Sequence, residues 1–333
     1  MNNAPVAIPV FDRPNHFRNC IESLKKNLGA EDTTLYISSD GPRCDKSKIL
    51  VGQVRDYIKT IHGFKNVIVF TPKENTSKQV WFETRQRVIN DNDRFIVTED
   101  DNVFSTFFLD FINQGLEIYE DVPRVAAICG YNYPGFPSYK AEAISMKCFA
   151  AWGYGTWRDK DLLSDADMQS VALNVFSDRK LFSEINAALP HMALMMQNVS
   201  KGNLIAGDVA ACSLLFKHDR VCIFPSISLV RNMGCDGSGE HCVINDRYDT
   251  QAISDRPIAF GNLQTLQPAS EHTKWLKAYF GGKSSELINW QLYWEENADS
   301  LIIRWILKLA FGVISLPLRT SRLAYRVLRR IFI

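Results

Sequence analysis

The run Phe95-Ile96-Val97-Thr98-Glu99-Asp100-Asp101 constrains this chain more than any other: an apolar, β-branched stretch that stops in three consecutive carboxylates. Uninterrupted apolar residues suit a strand buried on both faces of a parallel sheet. In open α/β sheets, ligands bind beyond the carboxyl ends of such strands. Three adjacent acids repel one another, so the cluster calls for water or a divalent cation, and oxygen ligands suit hard ions such as Mg²⁺ or Mn²⁺. A metal-diphosphate site and a solvated turn both meet these rules, and the rest of the chain has to separate them.

The pattern before the acids alternates. Residues 4–10 read as a strand and Asp12-Arg13-Pro14 as the turn beyond it; Phe17, Cys20, Ile21, Leu24 and Leu28 then recur at helical spacing. Residues 35–38 form a second strand, closed by the turn Ser39-Asp40-Gly41-Pro42. A helix carrying Leu50, Val54, Ile58 and Ile61 leads to a third strand at 67–70, and a helix over 77–90 leads to the fourth strand and its acidic end. Strands alternating with helices predict a mostly parallel sheet with right-handed crossovers. An apolar helix (Phe107, Phe108, Phe111, Ile112, Leu116, Tyr119) and a fifth strand at 125–129 continue it.

Beyond residue 130 the pattern loosens. Residues 131–137 are rich in Tyr, Gly and Pro, and 149–157 form an aromatic-glycine segment. Glycine allows close backbone approach and aromatic faces stack on sugars or bases; a tightly packed loop would have the same composition. Residues 160–200 read as helical, with Leu181, Ile185 and Leu189 in one row. Asp208 is a single acid in an apolar setting, either a base of raised proton affinity or the cap of the helix that follows. Residues 221–224 suggest a strand, and 232–241 form a Gly-rich loop that lacks the GK[ST] ending of a P-loop.

At 333 residues and 46% hydrophobic the chain can bury a substantial core, and disorder is excluded as its default state. Its eight cysteines are scattered, without a CxxC pair, and read as reduced core thiols. The first ten residues have no basic n-region or long apolar h-region, so a cleaved export signal is not expected. Residues 301–333 hold seven Arg or Lys and no acid, which leaves −6 on the other 300 residues. Apolar blocks interleaved with these cations suit an amphipathic tail on an anionic membrane surface, or a core-packing or dimerising helix pair.

Taken in order, the Asp12-Arg13 turn, Ser39-Asp40, the Val-Thr-Glu-Asp-Asp run before an aromatic helix, the segment 149–157 and Asp208 resemble a GT-A glycosyltransferase, and more closely the N-acetylglucosaminyltransferase I type. The resemblance spans roughly residues 5–245. It implies an α/β, GT-A (nucleotide-diphospho-sugar transferase) fold: a mostly parallel central sheet flanked by helices, followed here by C-terminal amphipathic helices. The implied division is a nucleotide-sugar-binding half at 1–130, an acceptor-binding half at 131–262, a linker at 263–300 and a membrane-association tail at 301–333. It implies Asp101 as metal ligand for Mn²⁺ or Mg²⁺, with His241 near the metal or phosphate. Glu99 and Asp100 would reach the ribose or donor sugar, Arg13 the diphosphate and Asp40 the uracil of a UDP-sugar, and Asp208 would be the catalytic base of an inverting transfer. The base position departs from the family's Trp-Asp-Asp-Trp setting, here Gly207-Asp208-Val209.

The acceptor implied is a saccharide or lipid-linked saccharide in cell-surface polysaccharide or lipopolysaccharide synthesis, met by a cytoplasmic enzyme peripheral on the inner face of the cell membrane. On residues alone, an Asp12-Arg13 surface pair, a structural His241 and solvated acids stay open. So do two other readings: a sugar nucleotidyltransferase, which would want glycine in the loop at 11–14, and a non-catalytic carbohydrate-binding protein at the membrane surface. No nucleic-acid partner is expected.

Overall fold

The computed structural model describes residues 3–137, 142–163, 167–239, 246–261, 266–281, 286, 289–290, 292–294 and 297. The chain forms two compact units, one of residues 1–164 and 220–268, the other of 165–219 and the residues from 269 on. These boundaries cut across the division anticipated at residue 130, and part of the anticipated linker, Ser270–Tyr279, is a helix.

In the first unit the elements run β1 (Val6–Val10), α1 (Pro14–Leu24), β2 (Thr34–Ser39), α2 (Asp45–Ile58), β3 (Asn66–Phe70), α3 (Gln79–Asp91), β4 (Arg94–Val97), β5 (Asn102–Phe104), α4 (Phe108–Ile118), β6 (Val125–Cys129), β7 (Ala143–Met146) and β8 (Tyr154–Trp157). After the second unit's helices α5 (Met168–Ser177), α6 (Arg179–Ala188), α7 (His191–Ser200) and α8 (Gly207–Lys217), the chain returns as β9 (Val221–Pro225), β10 (Val230–Asn232) and α9 (Asp246–Asp249), and then forms α10 (Ser270–Tyr279). Eight strands make one mixed sheet in the order β3-β2-β1-β4-β8-β6-β9-β7. Six run the same way, while β8 and β7 are antiparallel to their neighbours. The α/β sheet expected from the sequence is therefore present, with one reversed strand inside it and another at its edge.

The strand order reverses beside β1. The chain steps from β1 to β2 to β3, then crosses back to lay β4 on the other side of β1, and right-handed crossovers put the returning helix on the opposite face. Pro9 sits inside β1 and sets where the pairing with β4 stops. Ala7 faces β4, its carbonyl accepting Thr98 N, and alternation turns Pro9 the same way. The ladder to β4 stops at Ala7–Val97, because proline has no N–H to donate to the next carbonyl on that side. Beyond that point the ends of β1 and β4 lie apart, at the switch point where open α/β sheets take ligands.

The core follows from the apolar rows. Phe17, Cys20, Ile21 and Leu24 of α1 are buried, as are Phe108, Phe111, Ile112 and Leu116 of α4. Leu28, expected to extend the α1 row, is exposed because the helix stops at Leu24. Among the described residues the cysteines are free thiols, six of them buried and Cys44 exposed.

The second unit contains α5, α6, α7, α8 and α10. Its His191 stacks on Phe280, ring centroids 3.7 Å apart, and its Nδ1 is buried with no hydrogen-bond partner among the described residues. Burial pulls the imidazole down to about 3. The unfolded chain takes a proton near pH 6.5 and the folded one does not, so stability present above pH 6.5 is lost as pH falls toward 3, by about 1.4 kcal/mol per unit. His191→Phe, which keeps a ring against Phe280, is expected to remove about 2 kcal/mol of the parent's stability loss between pH 7 and 5. Denaturant melts of both proteins at the two pH values check this; parallel losses would contradict it.

Candidate functional site

The turn after β1 and the run after β4 face each other across the switch point. Pro14 occupies the first helical position of α1, which its fixed φ favours, and holds Arg13 just before it out of helical geometry at φ −113°. The Arg13 guanidinium then reaches both acids: Nη1 donates to Asp101 Oδ2 at 2.8 Å, Nη2 donates to Asp100 Oδ1, and Nε lies 3.4 Å from Asp100 Oδ2. The arginine thus pairs with the acids of β4's end rather than forming the surface pair with Asp12 that the sequence left open. Both acids are buried, at 4% and 6% exposure.

That burial sets the electrostatics. The carboxyl of Asp100 is pushed up to about 6, first by burial and then by the like charge of Asp101, against the opposing pull of Arg13. Burial would lower Arg13, but the two carboxylates and their hydrogen bonds outweigh it and keep the guanidinium protonated. A single cation between two buried anions leaves net negative charge in a low-dielectric pocket. The thiol of Cys20, fully buried nearby, is pushed well up by burial and by both acids, and donates to the Glu99 carbonyl at 3.6 Å. It is an inert core group.

A two-stranded ribbon fixes the other wall. β5, immediately after the acids, pairs antiparallel with β10, with Asn102 opposite Asn232. Buried Asn232 donates to Asp101 Oδ1 at 2.8 Å, Met233 N donates to the Asp101 carbonyl at 2.9 Å, and Asn102 donates to Thr98 Oγ1 at 2.9 Å. The Gly-rich loop singled out in the sequence is thereby laid against the acids. Gly234 is required there: a Cβ would overlap Asp101 Oδ2 and stand 2.8 Å from its Cγ and 3.3 Å from Arg13 Nη1. The loop is also tied to the first turn of α1, where His16 Nε2 lies 2.9 Å from Asp236 Oδ2. Ser238 donates to Asp236 Oδ1 from its N and Oγ, and these bonds, more than His16, hold that carboxyl well below the usual range.

Asp40, at the end of β2, is tied down locally. Its Oδ1 accepts from Gly41 N, Thr76 N and Thr76 Oγ1, and its Oδ2 accepts from Lys78 N at 3.1 Å. Burial works to raise it, but these bonds lower it, so the carboxylate is ionised and Oδ2 keeps acceptor capacity. The bonds stitch the turn at 40–41 to the segment at 76–78, whose Ser77 and Lys78 have positive φ.

The structure therefore brings Arg13, Asp100 and Asp101 together and places Glu99 half-buried beside them. Asp208 belongs to the second unit. It lies in the first turn of α8, whose cap residue is Ala206, and its Oδ1 accepts from Val209 N at 2.9 Å. His241 lies outside the described residues, as does the tail at 301–333. Sequence reasoning missed His16, Asn232 and Gly234. The loop's glycines were the one signal, but Asn232 meets Asp101 across 131 positions, which no local pattern reports.

The donor set can be tested against a divalent cation. Among the described residues no group of three His, Cys, Asp or Glu side chains could cage one. A small hard cation needs no such cage: one or two carboxylates suffice when water and substrate phosphates supply the rest. The adjacent, net-negative Asp100 and Asp101 fit that mode, each carboxylate oxygen having a further lone pair beyond its bond to Arg13 or Asn232.

No helix among the described residues is long and apolar enough to cross a membrane. No family model matches the sequence, and no curated protein matches it. Among solved structures the chain is similar to TarS of S. aureus. Against one TarS crystal structure the TM-score is 0.32 at 14% identity, covering 50% of this chain and 30% of that one. Against TarS 1–349 it is 0.35 at 9% identity, covering 96% and 75%. Against TarS 1–349 in complex with UDP it is 0.32 at 14% identity, covering 50% and 49%. Likenesses at this level carry no weight beside the sheet order and the geometry of the acids.

Proposed function

We propose that the protein is a cation-dependent glycosyltransferase of GT-A type that takes a nucleoside-diphosphate sugar, a uridine donor, and passes the sugar with inversion to a saccharide or lipid-linked saccharide. The observation that carries this reading is the pairing of Arg13 with Asp100 and Asp101 across the β1/β4 switch point. A planar guanidinium at that crevice matches two phosphate oxygens at once, and a net-negative carboxylate pair matches a cation that accompanies a diphosphate. Asp100 and Asp101 would hold Mn²⁺ or Mg²⁺, with His241 as a further candidate ligand; bound there, the cation supplies Lewis-acid stabilisation of the leaving diphosphate.

The chain's own residues take the remaining roles. Arg13 exchanges a carboxylate for a phosphate oxygen as the donor enters. Asp40, held ionised, accepts the imide N–H of uracil at Oδ2, and Glu99 meets ribose or sugar hydroxyls. The acceptor oxygen forms a bond to the anomeric carbon, the bond to the diphosphate oxygen breaks, and the acceptor's proton passes to a base, for which Asp208 is the candidate. The basic segment 301–333 would hold the enzyme at an anionic membrane surface near a lipid-linked acceptor.

The test is turnover. UDP release from a panel of UDP-hexoses and UDP-N-acetylhexosamines with Mn²⁺ is expected for at least one donor, and Asp101→Asn is expected to reduce it by about 100-fold or more, the scale on which a lost electrostatic contact to a developing charge is felt. Pyrophosphate release from UTP and a sugar 1-phosphate, with no UDP from any donor, would replace the reading with nucleotidyl transfer.

A further inference from the structure

A second constellation stands at the same sheet edge. Tyr131 and Tyr133 follow β6, Trp152 precedes the antiparallel β8, and Tyr248 lies in α9, so all four rings gather beyond the end of the sheet that carries the acids. Tyr131 is buried at the centre and meets Tyr133 edge-to-face at 5.4 Å and Trp152 at 4.7 Å. Trp152 meets Tyr248 at 5.4 Å. Tyr133, Trp152 and Tyr248 are each half-buried, so the cluster shows ring surface to solvent.

Polar groups beside the rings point to the kind of ligand. Gln251 donates from Nε2 to the Asn132 carbonyl at 2.7 Å, which fixes its amide orientation, since that carbonyl can only accept. Its Oε1 and Asp249 Oδ1 are then buried acceptors without a donor among the described residues. Both atoms are closed to solvent in this conformation, and unpaired burial of this kind is costly, so a side-chain movement that turns them toward a hydroxyl-bearing ligand would regain a hydrogen bond. Aromatic faces beside hydrogen-bond acceptors suit a sugar ring, which is apolar on its C–H face and a donor at its rim.

The strand β10 links this cluster to the acids. Cβ atoms at Gly130 and Gly153 would meet the Phe108 ring and lie 3.2 and 3.3 Å from Val230 Cγ2 of β10, and Asn232 at the strand's other end holds Asp101. Two residue steps along a strand are about 7 Å, so β10 runs that far from beside Gly130 and Gly153, the chain neighbours of Tyr131 and Trp152, to the residue that holds Asp101. We propose that Trp152, Tyr133 and Tyr248 form the platform for the acceptor saccharide, with Gln251 and Asp249 taking its hydroxyls; the word acceptor rests on the transferase reading above.

The experiment uses the full chain labelled with 5-fluorotryptophan, the Trp152 resonance being identified by its loss in Trp152→Phe. Chitotriose, maltotriose, cellotriose and mannotriose are titrated with and without UDP and Mn²⁺, and the UDP-hexoses and UDP-N-acetylhexosamines are titrated alone with Mn²⁺. The platform predicts that at least one trisaccharide moves the Trp152 resonance at roughly millimolar concentration, without needing UDP, and about tenfold more weakly in Tyr248→Ala. A Trp152 resonance that no trisaccharide moves, or that moves only with a UDP-sugar, would overturn it, the second result giving the rings to the donor's own sugar. If a trisaccharide moves Trp152 while UDP fails to bind the parent, the saccharide platform stands and the transferase reading falls.

Discussion

Replacing Arg13 by alanine is expected to cost about 3 kcal/mol of stability and nearly all affinity for a nucleoside diphosphate. The guanidinium is the cation paired with two carboxylates whose side chains are 6% and 7% exposed. Removing one partner of a buried ion pair leaves charge without compensation, at 3–5 kcal/mol, and the lower end applies because Arg13 itself is partly in water. The loss carries a pH signature. Asp100 is already pushed up to about 6, and without Arg13 its carboxyl rises further. The folded variant then holds a proton that the unfolded chain, titrating near 3.9, has released, so its stability falls as pH rises from about 4 through that raised value. Denaturant titrations at pH 5 and 8 are expected to show the larger deficit at pH 8. Arg13→Lys keeps the charge without the fork and is expected to recover part of the stability and little of the affinity. An Arg13→Ala protein as stable as its parent at both pH values would contradict the geometry.

Gly155→Ala is expected to destabilise the first unit by about 1–3 kcal/mol, the usual cost of overpacking a filled core. Gly155 lies in β8 between Ile96 of β4 and Ile128 of β6. A Cβ there would overlap Ile112 Cγ2 and stand 3.1 Å from Leu116 Cδ1, both on α4. The helix cannot withdraw alone, because the Trp157 indole donates to the Leu116 carbonyl and Phe111 stacks on Phe260 at 4.7 Å. Ile112→Ala makes the missing room, so the double variant is expected to lose at least 1 kcal/mol less than the two single losses combined. Additive losses would mean that β8 and α4 are not in the contact described.

The same glycine shows where the sequence was legible and where it was not. Strands β1, β2, β3, β4, β6 and β9 were readable as apolar, mostly β-branched runs between turn residues, a pattern that even the exposed edge strand β3 keeps. The run 149–157 could be read as either loop or ligand surface, and the structure makes its last four residues a strand in the middle of the sheet. Tyr-Gly-Thr-Trp has neither alternation nor a β-branched run, and its place is set by partners 25 to 63 residues away. Strands β5, β7 and β10, of three or four residues, escaped for the same reason.

At the site, Arg13 and the acid run stood out because an apolar strand ending in charge is locally conspicuous. Asn232, which orients Asp101, and His16, which meets Asp236, look like any polar surface residues until β5 and β10 pair. The shift of Asp100 was equally invisible, being a consequence of burial that only the assembled sheet imposes.

The most direct test of the central claim, that the β1/β4 crevice takes a nucleoside diphosphate with a cation, is calorimetric titration of UDP into the parent and into Asp101→Ala, each with and without Mn²⁺. The account predicts binding to the parent that strengthens with Mn²⁺, and loss of that Mn²⁺-dependent gain in the variant. Equal isotherms for parent and variant, or no heat from the parent under either condition, would contradict it and leave Arg13, Asp100 and Asp101 as a buried structural ion triad.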